Sequence, residues 1–447
     1  MTSFPMRQLL TSASAVSVAL LLATSPAVAS AQQAVPARDS LRLGALHADA
    51  LRNDPRGRQL ELLVAQSSLR LRNLRAERLP ALNLDLQGQY LSDVPTIPFQ
   101  FPGGAGPAPP PNDNYDANLA VRQRLYDPSR APRVAIERAE LAESQARVRT
   151  SLFALKQNVN DAYFTALLLQ AQRAELETGV TDLEAQLRVA GDRVRLGSSL
   201  PSESATLEAE LIRRRQSIAD VASNRDAALA VLGDLTGRAV AGADALVLPD
   251  LSADVAQARA TFGDLRQRPE YAQFARSRDV IDRRRVALGA QEQPRVFAFG
   301  RAGYGRPGLN PLAREFDEYW LAGVQVEWSP WRWGATQRER EELSIQREIV
   351  ATEEAAFTAT IRRTVANDLA AIDRLERSLE ADEEIIGLRE RILGEARLRF
   401  REDVITSAEF VDRETDVLAA RLARATHRVE LARARARFLT LIGLEVR

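Results

Sequence analysis

Along the stretch PALNLDLQGQYL, residues 80–91, apolar and polar side chains alternate. Leu82, Leu84 and Leu86 fall on one side, with Gly88 and Tyr90 further along it; Asn83, Asp85, Gln87 and Gln89 fall on the other. Successive strand residues point to opposite faces, so the pattern predicts a strand with an oily face and a wet face. YDANLAVRQRLYD (115–127) repeats it, with Tyr115, Ala117, Leu119, Val121 and Leu125 opposite Asp116, Asn118, Arg122 and Arg124. In YWLAGVQVEWSPW (319–331), Trp320, Ala322, Val324, Val326 and Trp328 oppose Gln325 and Glu327. RVFAFGRAGY (295–304) is less regular, because Phe297 and Phe299 fall on the wet side with Arg295 and Arg301.

Most of the remaining chain carries a helical period. Leu152, Leu155, Val159, Ala162, Ala166, Leu169, Arg173, Leu176, Val180, Leu183, Leu187, Ala190 and Val194 step alternately by three and four. A spacing of 3.5 makes a helix supercoil against partners. A helix over 131–196 would be roughly 100 Å long, at 1.5 Å per residue. A cytoskeletal or spacer coiled coil shares this signal but lacks the strands.

These elements are laid out twice. Pro55 and Pro269 each start a helix that leads to a strand beginning at Pro80 or Pro294. Asp54-Pro55 reads as an N-cap followed by a pre-set first helical residue. The first copy, 32–237, holds strands at about 81–91 and 115–126 and a helical hairpin at about 131–235. A linker spans 238–268. The second copy, 269–447, holds strands at about 295–304 and 319–329 and a hairpin at about 335–442. Gly237 and Gly443 close the return helices where a C-cap glycine belongs. The loop 92–114 is too rich in Pro and Gly for regular structure.

Composition narrows the chemistry. Lys plus Arg equals Asp plus Glu at 60 each, which argues against a general nucleic-acid binder. Cysteine is absent and only two histidines occur, His47 and His427. Thiol and disulfide chemistry are excluded, and a Cys- or His-built metal site is not expected. No nucleophile–base constellation or phosphate-binding loop stands out, so neither enzyme activity nor a cofactor is expected. GRAGYGRPG (300–308) superficially resembles a glycine-rich loop, but no helix opens behind it. At the N-terminus, Arg7, an apolar run and small residues read as a signal peptide over 1–31, cleaved after Ala29 or Ala31. An uncleaved anchor is the alternative.

Strands of about ten residues have the length that crosses a bilayer when tilted. Tyr90, Tyr115, Tyr126, Tyr304, Tyr319, Trp320, Trp328, Trp331 and Trp333 lie at or near strand ends, as in the aromatic girdle of an outer-membrane barrel. Hairpins packed on a soluble core are the competing reading. Four strands cannot close a barrel in lipid, where open edges are not tolerated. Several copies must therefore pool their strands if the chain spans.

Taken together, the chain resembles the TolC-like outer-membrane efflux proteins. The resemblance rests on the doubled layout and the strand-to-helix corners VRQRLYDPSR and VEWSPWRWGA. The hairpin tips RVRLGSSLPSESATLEAE and RLRFREDVITSAEFVDRE add to it. It implies a mainly α protein with a small transmembrane β part. Three copies would form a twelve-stranded barrel continued by a periplasmic α-helical barrel. It further implies an outer-membrane channel of a tripartite efflux or type I secretion system. Its partners would be a periplasmic adaptor, an inner-membrane pump of RND, ABC or MFS type, and outer-membrane lipid. A periplasmic adaptor or a coiled-coil structural protein is the rival reading, although an adaptor usually has one hairpin and this chain has two.

The resemblance also points to residues. Glu409 and Asp412 match the acidic pore constriction and, three apart, share a helix face; solvated surface acids are the plainer reading. Glu203, Phe400 and Ile405 match positions that link neighbouring tip helices in the family. Phe400 lacks the family's hydroxyl and Ile405 its basic group, so a latch must differ here. Leu196, Gly197, Ser198, Ser199, Glu402, Asp403 and Val404, with Ile405, are expected adaptor contacts at the tips, which are otherwise ordinary turns.

Overall fold

The computed structural model describes residues 41–94, 109, 111–240, 246–261, 267–311 and 313–444. The signal-peptide expectation (1–31) and most of the 92–114 loop lie outside these residues. Helices α1 (Leu43–Asn53) and α2 (Arg56–Ala76) precede strands β1 (Ala81–Tyr90) and β2 (Asp113–Tyr126). The first hairpin follows as α3 (Arg130–Arg195) and α4 (Pro201–Thr236). After α5 (Ser252–Thr261), the layout returns with α6 (Pro269–Gln291), β3 (Arg295–Arg306), β4 (Asp317–Glu327), α7 (Ala335–Arg401) and α8 (Ser407–Leu441). The chain is mainly helical with one small sheet, as the doubled pattern predicts. The α5 helix lies in the segment expected to be linker.

Local chemistry sets the boundaries. At α2 the helix starts one residue later than expected: Pro55 is the cap, and the Asp54 carboxylate accepts from the Arg56 amide at 2.8 Å. At α6, Pro269 is the first helical residue after the extended Arg268. The α3–α4 turn closes with Gly197 at φ 76°, where Ser198 N–H donates to Arg193 and Gly197 N–H to Val194. The α7–α8 turn repeats these bonds with Asp403 at φ 57°. Both are Schellman closures, which need a left-handed residue. Aspartate tolerates that geometry better than most side chains do.

The four strands pair antiparallel in the order β1-β2-β3-β4, leaving β1 and β4 as edges. Leu84 stands opposite Leu119, Leu119 opposite Ala302, and Ala302 opposite Trp320. One face of the sheet is therefore apolar from edge to edge. Leu125 is an exception to the expected alternation. The register shifts between Arg124 and Tyr126, so Tyr126 takes the place opposite Val296.

The helices bury their seams in two clusters. The larger gathers Leu46 of α1, Leu155, Val159, Tyr163 and Phe164 of α3, Leu232 of α4, Val255 of α5, Ile372 of α7 and Phe438 of α8. Full burial of each such side chain stabilises by about 1.5–3 kcal/mol. The Tyr163 hydroxyl donates to the carbonyls of Leu41 and Val247, and burial pushes its pKa up to about 12. His47 Nε2 lies 2.8 Å from Asn160 Oδ1, and Asn160 donates to Thr440 Oγ1 at 3.1 Å. The smaller cluster sits toward the tips and includes Leu183, Leu207, Leu211, Leu393, Phe400, Phe410 and Val417.

Candidate functional site

The sheet carries its apolar side chains outward. Every residue of β1 is exposed. Leu84 is 70% exposed, Leu86 74% and Trp320 77%. Strands of ten residues rise about 33 Å at ~3.3 Å per residue, or about 25 Å when tilted by ~40°, the height of a barrel's lipid-facing band. Aromatic side chains gather at both ends of this face. At the outer end, Phe316 stacks between Tyr115 (6.2 Å) and Tyr304 (5.5 Å). At the helix end, Trp331 and Trp333 meet edge to face at 5.8 Å, and Trp328 donates to the Glu292 carbonyl at 3.0 Å. Tyr126 and Tyr90, each the last residue of its strand, are exposed at opposite ends of the sheet.

Tyr319 departs from the girdle expectation. It pairs with Gly303 on the polar face, and its hydroxyl donates to Asp116. Strand parity places it beside Asp116, away from Trp320. A Cβ at Gly303 would come within 2.8 Å of both Asn118 and the Tyr319 ring, so this crossing requires glycine. The two phenylalanines that disturbed the β3 pattern have local reasons. Phe297 is buried under the Arg122 guanidinium, 4.2 Å from the ring centre. Phe299 lies across Gly323, where a Cβ would sit 2.8 Å from its ring.

At the opposite end of the helices, the two turns are tied within one chain. Arg193 Nη1 donates to the Phe400 carbonyl at 3.0 Å and to the Asp403 carboxylate at 2.8 Å, while Nη2 donates to the Arg401 carbonyl. Glu203 accepts from the Ser407 amide at 2.5 Å. Phe400 is 4% exposed and stacks on Phe410 at 5.0 Å. Ile405 packs on the same small core. Of the three positions matched to the family's links, Glu203 alone makes one through its side chain here, and it stays inside the chain. Phe400 and Ile405 serve packing. Arg193, missed in the sequence, carries the tie that a latch was expected to need. Leu196 and Val404 project from the turns, 83% and 66% exposed, beside Gly197, Ser198, Ser199 and Glu402. Glu409 and Asp412 lie on one exposed flank of α8, opposite the buried Phe410 and Glu414.

This combination has known counterparts. Residues 46–238 match the family model described as outer membrane efflux protein. The match covers the first repeat of this chain. The fold extends the match over both repeats. CusC, whose structures concern folding and transmembrane channel formation, superposes with a TM-score of 0.65 at 18% identity, over 91% of this chain and 93% of CusC. The outer membrane protein VceC of Vibrio cholerae gives 0.65 at 14% identity, over 90% and 96%. The open-state outer membrane channel MtrE of Neisseria gonorrhoeae gives 0.62 at 17%, over 90% and 89%. At these identities the likeness establishes the fold. Among curated proteins none matches the sequence.

Two charge constellations of this chain were not anticipated. Deep in the hairpins, Arg214 of α4 is 2% exposed and bonds Glu210 and Glu414, each at 2.8 Å. It also donates to the Gly179 carbonyl of α3 at 3.2 Å. One guanidinium thus joins three helices. Burial pushes the Glu414 carboxyl above its ordinary range, and the shared Arg214 only partly offsets this. Burial also acts on Glu210, but bonds from both Arg213 and Arg214 outweigh it and hold that carboxyl below its ordinary range.

The second constellation lines a cavity of about 810 Å³ where the polar face of the sheet meets α2, α3 and α6. Arg122 bonds Glu327 at 2.5 Å, and Arg124 bonds Glu77 at 2.6 Å. Arg133 reaches Glu77 at 2.8 Å and Asp127 at 3.0 Å, while Arg295 lies 3.9 Å from Asp127. Burial pushes the Asp127 carboxyl up, but bonds from Ser129 and the charges of Arg133 and Arg295 bring it below its ordinary value. Among the described residues, no helix is long and apolar enough to cross a membrane, and no group of three or more Asp, Glu or His could hold a metal.

Proposed function

We propose that the chain is the exit duct of a tripartite efflux or type I secretion system, a passive outer-membrane channel fed by an inner-membrane pump. One observation carries this reading: an apolar sheet face, exposed across all four strands, bounded by two edges that are unpaired among the described residues. In lipid an unpaired edge leaves backbone groups unsatisfied at several kcal/mol each. Pairing β4 of one copy with β1 of the next removes both edges, and three copies supply twelve strands. The apolar face then meets outer-membrane lipid. The helices continue the wall as a tunnel into the periplasm, and residues 1–31 direct export. Tyr90, Tyr115, Tyr126, Tyr304, Trp320, Trp328, Trp331 and Trp333 form the interfacial girdles.

In this assembly Leu196–Ser199 and Glu402–Ile405 face the periplasmic adaptor, which joins the duct to an RND, ABC or MFS pump. Glu409 and Asp412 become rings of carboxylates that favour cations. Arg193 and Glu203 fasten the tips in the closed state. The test is mass measurement in detergent with recording in planar bilayers. The expected result is a trimeric, pore-forming species whose cation preference falls with Glu409→Gln and Asp412→Asn. A monomer that is soluble without detergent and makes no pore overturns the reading.

A further inference from the structure

The register sorts the charges on the polar face of the sheet by height. Asp85, Asp116 and Asp317 occupy two adjacent rows toward the outer end, where Gln87 pairs with Asp116 and Asp116 with Gly305, itself opposite Asp317. Arg301, Arg122, Arg124 and Arg295 lie in the rows nearer the helices, with Glu327 opposite Arg295 as the one acid of the sheet there. The cavity at that basic end is lined by four arginines, Arg122, Arg124, Arg133 and Arg295, and three carboxylates, Glu77, Asp127 and Glu327. Four positive charges less three negative leave one positive charge per chain. The three carboxylates are already bonded to arginines, so the surplus cannot be absorbed within the cavity. Arg295 shows it most clearly: its contact to Asp127, at 3.9 Å, is the longest of the set, and Asp127 is shared with Arg133. Apolar wall adjoins these groups, from Leu79, Ile136 and Ala287.

We propose that this cavity is a binding site for amphipathic organic anions, a carboxylate or similar oxyanion on an apolar body, at the junction of strands and helices. A guanidinium presents a planar fork of donors that fits an oxyanion with two bonds. The neighbouring alkyl side chains take the apolar body. The acids in the outer rows leave the basic end as the place of lowest energy for an anion on that face. The inference rests on the exit-duct reading, in which the polar face lines the lumen and the copies repeat the site around it.

The test records the full-length protein in planar bilayers, with salicylate or its uncharged counterpart salicylamide added from the strand side. Salicylate is expected to interrupt the current of the unaltered channel, and salicylamide is not. Block by salicylate should weaken roughly threefold or more in Arg122→Gln with Arg295→Gln, and weaken as salt rises from 0.15 to 1 M, when the screening length falls from about 8 to about 3 Å. Glu327→Gln, which enlarges the surplus, should strengthen block; a damaged fold would not produce that opposite shift. Equal block by both compounds, or salicylate block unchanged in both variants, overturns the site and leaves the duct standing. Absence of any pore in the unaltered protein overturns the duct reading and the site with it.

Discussion

The sheet and the helical middle of the chain use the same side chains in opposite senses. Around α3 and α8, leucine, valine and phenylalanine turn inward, and Val159 and Phe438 are wholly buried. On the sheet, Leu82, Leu84 and Leu86 turn outward, while Arg122 and Arg295 gather on the other face. Apolar surface goes where water is absent. Two arrangements within one chain therefore mean two solvents. The helical middle makes its own dry interior, whereas the sheet borrows one.

This contrast can be broken from either side. The largest effect is expected at Arg214. Arg214→Leu leaves Glu414 buried without its bonded cation and should cost about 3–5 kcal/mol in denaturant unfolding. Adding Glu210→Leu and Glu414→Leu should recover much of that loss, because an apolar trio suits this interior. An undiminished loss in the triple variant would show that the charges, not the packing, suit it. On the sheet the logic reverses. Leu84→Arg should cost about 2–4 kcal/mol per site in refolding into lipid, and far less in Leu84→Phe. Equal tolerance of both would mean that this face meets water.

A smaller effect, about 1–3 kcal/mol, is expected for Gly303→Val. The new side chain would press on Asn118 and Tyr319. Thermal unfolding of Gly303→Val should move back toward the unaltered value with Tyr319→Ala. The smallest effect is one of pH. The folded-state pKa of Glu414 lies above its ordinary value of 4.5, so its contribution is fully present below about 4.5 and is lost as pH rises through the folded value. Glu210 has the opposite sign: its contribution is present above 4.5 and lost as pH falls. Stability profiles of Glu414→Gln should therefore lack the decline on the alkaline side of 4.5 and keep the decline on the acid side.

Much of the fold is legible in the sequence because its elements are long and strictly periodic. The alternation from Leu82 to Tyr90 and the seam from Leu152 to Val194 each depend on neighbours a few residues away. What escapes such reading is non-local. Helix α5 is held by Val255 and Ala258 packed into the large core, and nothing in its ten residues announces that partner. The His47–Asn160–Thr440 chain and the Arg214–Glu414 bond join residues 113, 280 and 200 positions apart. At the tips, Glu409 and Asp412 share a flank as their spacing predicts. The role of Arg193 depends on carbonyls of another hairpin, which no spacing reveals. Tyr319 differs for a simpler reason: it sits near a strand end, as a girdle residue would, but parity decides the face and puts it opposite Gly303 on the polar side.

Because each outermost strand of the sheet is open along one side, the sheets of a ring of identical copies can join only along the line where β4 of one meets β1 of the next. A change in either strand is then copied at every junction at once, with no intact junction to compensate. Selection on those two short segments should accordingly be harsher than their solvent exposure in a single chain suggests.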